Sequence, residues 1–397
     1  MNGRWKPGRL VKDLTALVSA LSVLACTPTR TIAQALPKPQ HVFIIVLENE
    51  GYDVTFGANS GALYLNALAR NGALLKNYYG IGHNSLDNYI AMVSGQAPNP
   101  ATQADCESFV DFKSSGPLDA DGQAVGTGCV YPPSVRTIVD QMASAHLTWK
   151  AYMEDMGNVP SRESATCGHP SVGDKDNTQQ AVVGDQYATR HNPFMYFHSV
   201  IDDRPNCGAH VVNLAALDGD LANEQSTANY VFITPNLCHD GHDEPCVDNE
   251  PGGLISADKF LMQIVPKILN SPAYRHNGLL IVTFDEADVY IRKDKLESGD
   301  VSACCDEPPG PNTHSGMVYD SVDKGPGIVG PGGGRIGAVL VSRYIKEGTV
   351  SEVPYNHYSL LRSVEDFFGL EHLGYAGRNG LNSFADDVFT QPSGNKY

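Results

Sequence analysis

Long hydrophobic runs are missing from this sequence. The longest, Leu14 through Ala25, is about 12 residues and is interrupted by Thr15, Ser19 and Ser22. A membrane span needs ~20, so no integral span is expected. Basic residues are scarce, with 28 Lys plus Arg against 45 Asp plus Glu, a net charge of −17. A nucleic-acid phosphate backbone would repel such a chain, which excludes a non-specific nucleic-acid binder. No C-x-x-C occurs, so a zinc ribbon is not supported. Gly-x-Ser-x-Gly is also absent, which removes the serine elbow of α/β-hydrolases. The run Gly330-Pro-Gly-Gly-Gly-Arg335 lacks the Gly-Lys-Ser/Thr of a P-loop and precedes an apolar run; it reads as a flexible turn. There is no Asn-x-Ser/Thr sequon, which favours a bacterial source. What is present is globular composition, 42% hydrophobic and 18% charged. It excludes collagen, coiled coil and wholesale disorder. A length of 397 residues fits two domains or one large α/β domain.

Residues 1–35 have the order of a secretory signal peptide. Arg4, Lys6, Arg9 and Lys12 precede the apolar run, and Ala33-Gln34-Ala35 forms an A-x-A cleavage site. Val23-Leu24-Ala25-Cys26 resembles a bacterial lipobox, so lipid anchoring through Cys26 is an alternative. Cleavage after residue 35 removes five basic residues and one acidic residue, leaving 23 against 44, a balance of −21. The mature protein is expected to be secreted or periplasmic. Eight cysteines then remain, an even number that points to disulfides in an exported chain. Cys106–Cys129, Cys167–Cys207 and Cys238–Cys246 are the expected local pairs. Adjacent Cys304 and Cys305 fit each other poorly, and at least one is expected to reach elsewhere.

Four β-branched runs end in polar residues: His41–Leu47, Tyr230–Thr234, Leu279–Phe284 and Gly337–Val341. Continuous apolar runs of this length suit strands buried on both faces. Helical patterns cover Ser134–His146, Ala257–Leu269 and Ser359–Leu370, with Ser256 and Ser359 as N-caps. The alternation predicts an α/β fold, a mostly parallel central sheet with helices on both faces. Residues 36–397 are expected to form one domain, with insertions around 96–130 and 286–335.

In such sheets ligands sit beyond the carboxyl ends of strands. Glu48-Asn49 and Asp285-Glu286 lie there, and two such pairs at one edge make an oxygen-rich site for a divalent cation. Ser85 opens a helical pattern with apolar residues at 86, 90 and 93. It is either a cap or a nucleophile next to an anion-binding helix N-terminus. The loop holding His239, Asp240 and His242 falls at the same edge, and His191 lies in Arg190-His191-Asn192-Pro193-Phe194. An imidazole there could ligate a metal, hold a phosphate or protonate a leaving group. His357 is a weaker candidate of the same kind.

These segments together resemble the phosphoesterase family of secreted acid phosphatases and bacterial phospholipases C. The resemblance rests on Glu48-Asn49-Glu50-Gly51-Tyr52-Asp53, Ser85-Leu86-Asp87-Asn88-Tyr89 and His191-Asn192-Pro193-Phe194. It continues through Thr234-Pro235-Asn236-Leu237 with Asp240 and His242, the strand ending in Asp285-Glu286, and Tyr355-Asn356-His357 leading to Glu365-Asp366. They recur in order over about residues 40–370. The resemblance implies an alkaline-phosphatase-like fold and a divalent cation, its identity open, on Glu48, Asn49, Ser85, Asp285 and Glu286. Ser85 would form a phosphoserine; His191 and His242 would assist, and Asn88 and Asp240 would bind substrate. Small phosphorylated molecules are the implied substrates. Glu50-Gly51-Tyr52, and Ala287-Asp288-Val289-Tyr290 after the second carboxylate pair, depart from the phospholipases and point to the acid phosphatase branch. Alternatives are a phospholipase C-type phosphodiesterase, a phosphatase acting on lipid headgroups such as phosphoinositides, and a non-catalytic surface-binding relative.

Overall fold

The computed structural model describes residues 1–3, 37–292, 295–313 and 332–389. The expected leader from residue 4 onward, Cys26 included, and part of the 286–335 excursion lie outside the described residues. The chain divides into two units, Met1–Ala35 and Leu36–Tyr397.

The second unit is built on an eight-stranded sheet. Its strands are β1 (His41–Leu47), β2 (Ala73–Leu75), β3 (Trp149–Met153), β4 (Val211–Asn213), β5 (Tyr230–Thr234), β6 (Gly278–Phe284), β7 (Ala338–Ser342) and β8 (Thr349–Ser351). Their spatial order is β8-β2-β7-β6-β1-β5-β3-β4. From β6 to β4 every neighbour is parallel, and β7 runs antiparallel to both β6 and β2. The expected α/β class with a mostly parallel sheet is borne out.

β1 and β6 pair along their whole length, from His41 opposite Gly278 to Leu47 opposite Phe284. Every residue of both strands is buried. A strand buried at each position has a layer on each face. Helix α1 (Leu63–Asn71) packs with α4 (Gly253–Asn270). Helix α2 (Ser85–Ser94) packs with α3 (Ile138–Ser144) and α5 (His357–Phe368). The central strands were legible because their runs are wholly apolar. β2, β4 and β8 are three-residue strands, too short to show a period.

The expected caps shift. Thr137 caps α3 in a capping box with Asp140. α4 starts at Gly253, and the Ser256 hydroxyl instead accepts from the Gly252 N–H at 3.1 Å. At α5 the cap is Asn356, whose side chain accepts from the Ser359 N–H at 3.1 Å.

The three expected local disulfides form. Cys304 and Cys305 bond to each other rather than reaching elsewhere. The other six described cysteines are already paired, so neither has another partner among the described residues. The glycine turn at 332–334 is not a free loop. Gly333 donates to the Gly80 carbonyl at 3.0 Å, and a Cβ on it would fall 2.3 Å from the Gly82 carbonyl. Only glycine lets these two backbones approach so closely. No described helix is long and apolar enough to cross a membrane.

Candidate active site

Parallel strands β6, β1 and β5 lie side by side and end at the same edge of the sheet. Glu48 follows β1, Asp285 follows β6, and the loop bearing Asp240 and His242 follows β5. Backbone bonds knit these ends together. The Glu48 N–H donates to the Asp240 carbonyl at 2.8 Å, and the Asp285 N–H to the Leu47 carbonyl at 2.9 Å. Asp285 Oδ1 accepts the Asn49 N–H at 3.1 Å and the Glu286 N–H at 2.6 Å. Asn49 sits in the left-handed region at φ 50°, a conformation Asn tolerates better than most residues.

His191 stands between two carboxylates. Its Nε2 is 3.0 Å from Glu48 Oε1, and its Nδ1 is 3.3 Å from Asp240 Oδ2. All three residues are almost fully buried. The ring stacks on Tyr89 at 5.3 Å between centroids, one turn along α2 from Ser85. The two close contacts lack hydrogen-bond geometry. Both His191 nitrogens, both Glu48 oxygens, Asp240 Oδ2, Asp285 Oδ2 and Asn49 Oδ1 are buried without a hydrogen-bond partner. One ligand atom from each of Glu48, His191 and Asp240 lies within 4.8 Å of the other two.

Burial drives the Asp285 and Glu286 carboxyls well above the usual carboxylate range, and the Glu48 charge adds to the shift. Burial also raises Asp240, against the pull of His191. At Glu48 burial pushes upward too, but the His191 charge and contacts outweigh it and hold this carboxyl below its usual range. An unpaired buried charge is costly, and buried charges are normally paired or bound to metal. Three carboxyls and an amide oxygen with unmet acceptor capacity fit a divalent cation. Asp240, expected at the substrate, and His191, expected to assist catalysis, therefore stand together with Glu48.

Ser85 is the first residue of α2, and Asn84 rather than Ser85 is the N-cap. Asn84 takes an irregular conformation with φ 94°. Its N–H donates to Glu286 Oε1 at 2.9 Å, which ties the start of α2 to the end of β6. The Leu86 N–H donates to Asp105 Oδ1 at 3.0 Å. Two backbone N–H groups at the helix N-terminus thus receive the protein's own carboxylates. Ser85 is 4% exposed and its hydroxyl does not cap the helix.

Asn88, expected at the substrate, turns its amide back on the loop before Ser85. Its Oδ1 accepts from Ile81 and Gly82, and its Nδ2 donates to the Gly82 and Asn84 carbonyls. These bonds use its amide to shape the turn before Ser85. His242 lies beyond β5, with its N–H on Asp240 Oδ1 at 2.9 Å and its Nδ1 2.8 Å from Asp243 Oδ1. Burial would lower its pKa, but the Asp243 bond and the Glu48 and Asp240 charges prevail and push it up to about 9. His239 instead bonds Glu154 at 2.9 Å.

Sequence reasoning missed several residues. His83 places Nδ1 2.5 Å from Glu286 Oε2; its position two residues before Ser85 was the available signal. Arg190 brings a buried guanidinium within 3.9 Å of Asp105, and only its adjacency to His191 marked it. Burial lowers the His83 and His357 imidazoles to about 4.

An α/β sheet whose parallel strands end in buried carboxylates, one of them bonded to the Asn84 N–H at the start of the Ser85 helix, defines the class. Residues 59–371 match the model of the Phosphoesterase family, and the chain belongs to that family. A probable acid phosphatase of Kluyveromyces lactis is 26% identical over 84% of this chain and 59% of its own length. A phosphate-repressible acid phosphatase of Penicillium chrysogenum is 26% identical over 81% of this chain and 58% of its own. The chain therefore spans a little over half the length of these relatives. A phosphatidylinositol-3-phosphatase of Mycobacterium tuberculosis is 24% identical over 91% of this chain and 88% of its own. A solved alkaline phosphatase superfamily protein from Vibrio parahaemolyticus superposes with TM-score 0.49 at 13% identity, over 90% of this chain and 73% of its own.

Proposed function

We propose that this protein is an exported, divalent-cation-dependent phosphomonoesterase of the acid phosphatase type, with Ser85 as nucleophile. The observation that carries the reading is the set of buried, unpartnered oxygens on Glu48, Asn49, Asp240 and Asp285, linked through Glu286 to the backbone next to Ser85. Glu48, Asn49, Asp240, Asp285 and Glu286, with His191, are the residues that would hold the cation. When bound, it supplies positive charge against the phosphoryl oxygens and favours the alkoxide form of a serine hydroxyl.

The chain's own groups do the rest. Ser85 Oγ attacks phosphorus, the bond to the leaving alcohol breaks, and the phosphoryl group passes to Ser85. His242 is protonated below about pH 9. With Nδ1 bound to Asp243, its Nε2–H is left to protonate the departing alkoxide. Water then cleaves the phosphoserine and releases inorganic phosphate. The net charge of −21 for residues 36–397 repels an anionic substrate at long range, so binding depends on the local cation.

The disulfides support export. The mycobacterial relative, matched over most of its length, favours a phosphoinositide monoester as a second substrate reading. The test is Ser85→Ala on p-nitrophenyl phosphate, with mass spectrometry of acid-quenched wild type. A phosphate on Ser85, absent from the variant, is expected. Turnover by Ser85→Ala at the wild-type rate would show that the serine is not the nucleophile.

A further inference from the structure

Two buried histidines approach the Asp285–Glu286 dipeptide from opposite ends of the sequence. His83 and His357 are both 0% exposed. His83 Nδ1 lies 2.5 Å from Glu286 Oε2, while the other oxygen takes the Asn84 N–H at 2.9 Å. His357 Nε2 lies 2.5 Å from the Asp285 backbone carbonyl, and its Nδ1 lies 3.1 Å from the Tyr78 hydroxyl. We propose that His83 and His357 are positioning residues that fix the direction of the Asp285 and Glu286 carboxylates.

The partners assign the tautomers. A carbonyl only accepts, so His357 carries its proton on Nε2 and takes the Tyr78 O–H on Nδ1. With a cation holding Glu286 ionised, its carboxylate only accepts, so His83 carries its proton on Nδ1. The two rings therefore hold the dipeptide with opposite nitrogens. His83 clamps a side chain and links it to the turn that presents Ser85. His357, at the start of α5, holds the main chain where β6 ends. Gly80 closes this arrangement, since a Cβ there would meet the Asp285 carbonyl at 2.8 Å. Groups that orient metal-binding carboxylates in this way typically change affinity or activity 10–100-fold when removed.

This proposal rests on the cation-dependent reading above. Its test uses the opposite tautomers. Asparagine places an N–H where Nδ1 was, and glutamine places one where Nε2 was. The full chain is compared as wild type, His83→Ala, His83→Asn, His83→Gln, His357→Ala, His357→Asn and His357→Gln. The readouts are Mn²⁺ affinity by titration calorimetry, kcat and KM on p-nitrophenyl phosphate, and melting temperature. Both alanine variants are expected to lose about 10–100-fold in Mn²⁺ affinity and in kcat, with KM within about twofold. Asparagine restores position 83 and glutamine does not; at position 357 the pattern reverses. Alanine variants that match wild type overturn the proposal, as do amide variants that rescue equally or follow melting temperature alone. A wild-type protein that turns over no phosphoester but binds Mn²⁺ breaks the phosphatase reading, and the affinity pattern still decides the positioning. If wild type binds no Mn²⁺, both fail.

Discussion

Buried acids occur in two settings in this molecule, and their surroundings differ. Asp258 lies on α4, 7% exposed, and its two oxygens accept the N–H groups of Tyr64 and Leu65 at 2.9 and 2.8 Å. It satisfies the start of α1 across a helix–helix contact, and the fold supplies everything it needs. At the ends of β1, β5 and β6, Glu48, Asp240 and Asp285 are fully buried with oxygens the fold leaves unpartnered. The first setting is what stability asks of a buried carboxylate. The second weakens stability unless something outside the chain completes it, which is the usual mark of a functional site.

The comparison is sharpest at Ser85. Ser85→Ala should reduce kcat on p-nitrophenyl phosphate by at least about 1000-fold. The thermal midpoint should stay unchanged, because the hydroxyl caps nothing. A large drop in midpoint would return Ser85 to a structural role.

Asp285→Asn comes next. Its Oδ1 can still accept from Asn49 and Glu286, while the charge repelled by Glu48 and Glu286 is removed. Activity should fall about 100-fold or more, as for loss of a cation-holding group. The chelated protein should gain about 1–3 kcal/mol against urea. Equal loss of activity and stability would erase the distinction between the settings.

Glu365 is an intermediate case. One oxygen accepts the Leu373 N–H at 2.9 Å and the other is buried without a partner, and Asp366 is the acid whose charge adds to the effect of burial. Burial pushes its carboxyl from 4.5 up to about 9, so the folded state favours the neutral form. That stability is complete below about pH 4.5 and is lost as pH rises through about 9. Glu365→Gln keeps the neutral form at every pH. It should match wild type near pH 4 and exceed it by ~1–3 kcal/mol near pH 8 in urea unfolding. No gain at the higher pH would mean that water already satisfies the free oxygen.

Asp258→Ala should show the smallest effect. It should lower stability by about 1 kcal/mol with kcat per folded molecule unchanged. A fall in kcat would join the α1–α4 contact to the site.

Much of this contrast was legible in the sequence. His41–Leu47 and Leu279–Phe284 are apolar throughout, so their burial and the edge position of Glu48 and Asp285 follow from composition alone. The hidden part depends on contacts between distant segments. Nothing local distinguishes Asp258 from Asp240, because one meets helix N–H groups and the other meets His191 only after folding. Ser256 and Ser359 looked like caps because serine often is one, but Gly252 and Asn356 lay earlier on the same helices. The amide of Asn88 belongs to a motif, yet its bonds turn back to the adjacent loop. Cys304 and Cys305 paired with each other because local partners had taken the rest.

The central claim is that the unpartnered carboxylates at the ends of β1, β5 and β6 form a cation site that drives phosphoester hydrolysis. It is tested most directly by p-nitrophenyl phosphate hydrolysis from about pH 4 to about pH 9, before and after exhaustive chelation, with single divalent cations returned. The account predicts activity that disappears with the chelator and returns with a particular cation. Undiminished activity in the fully chelated protein would contradict it.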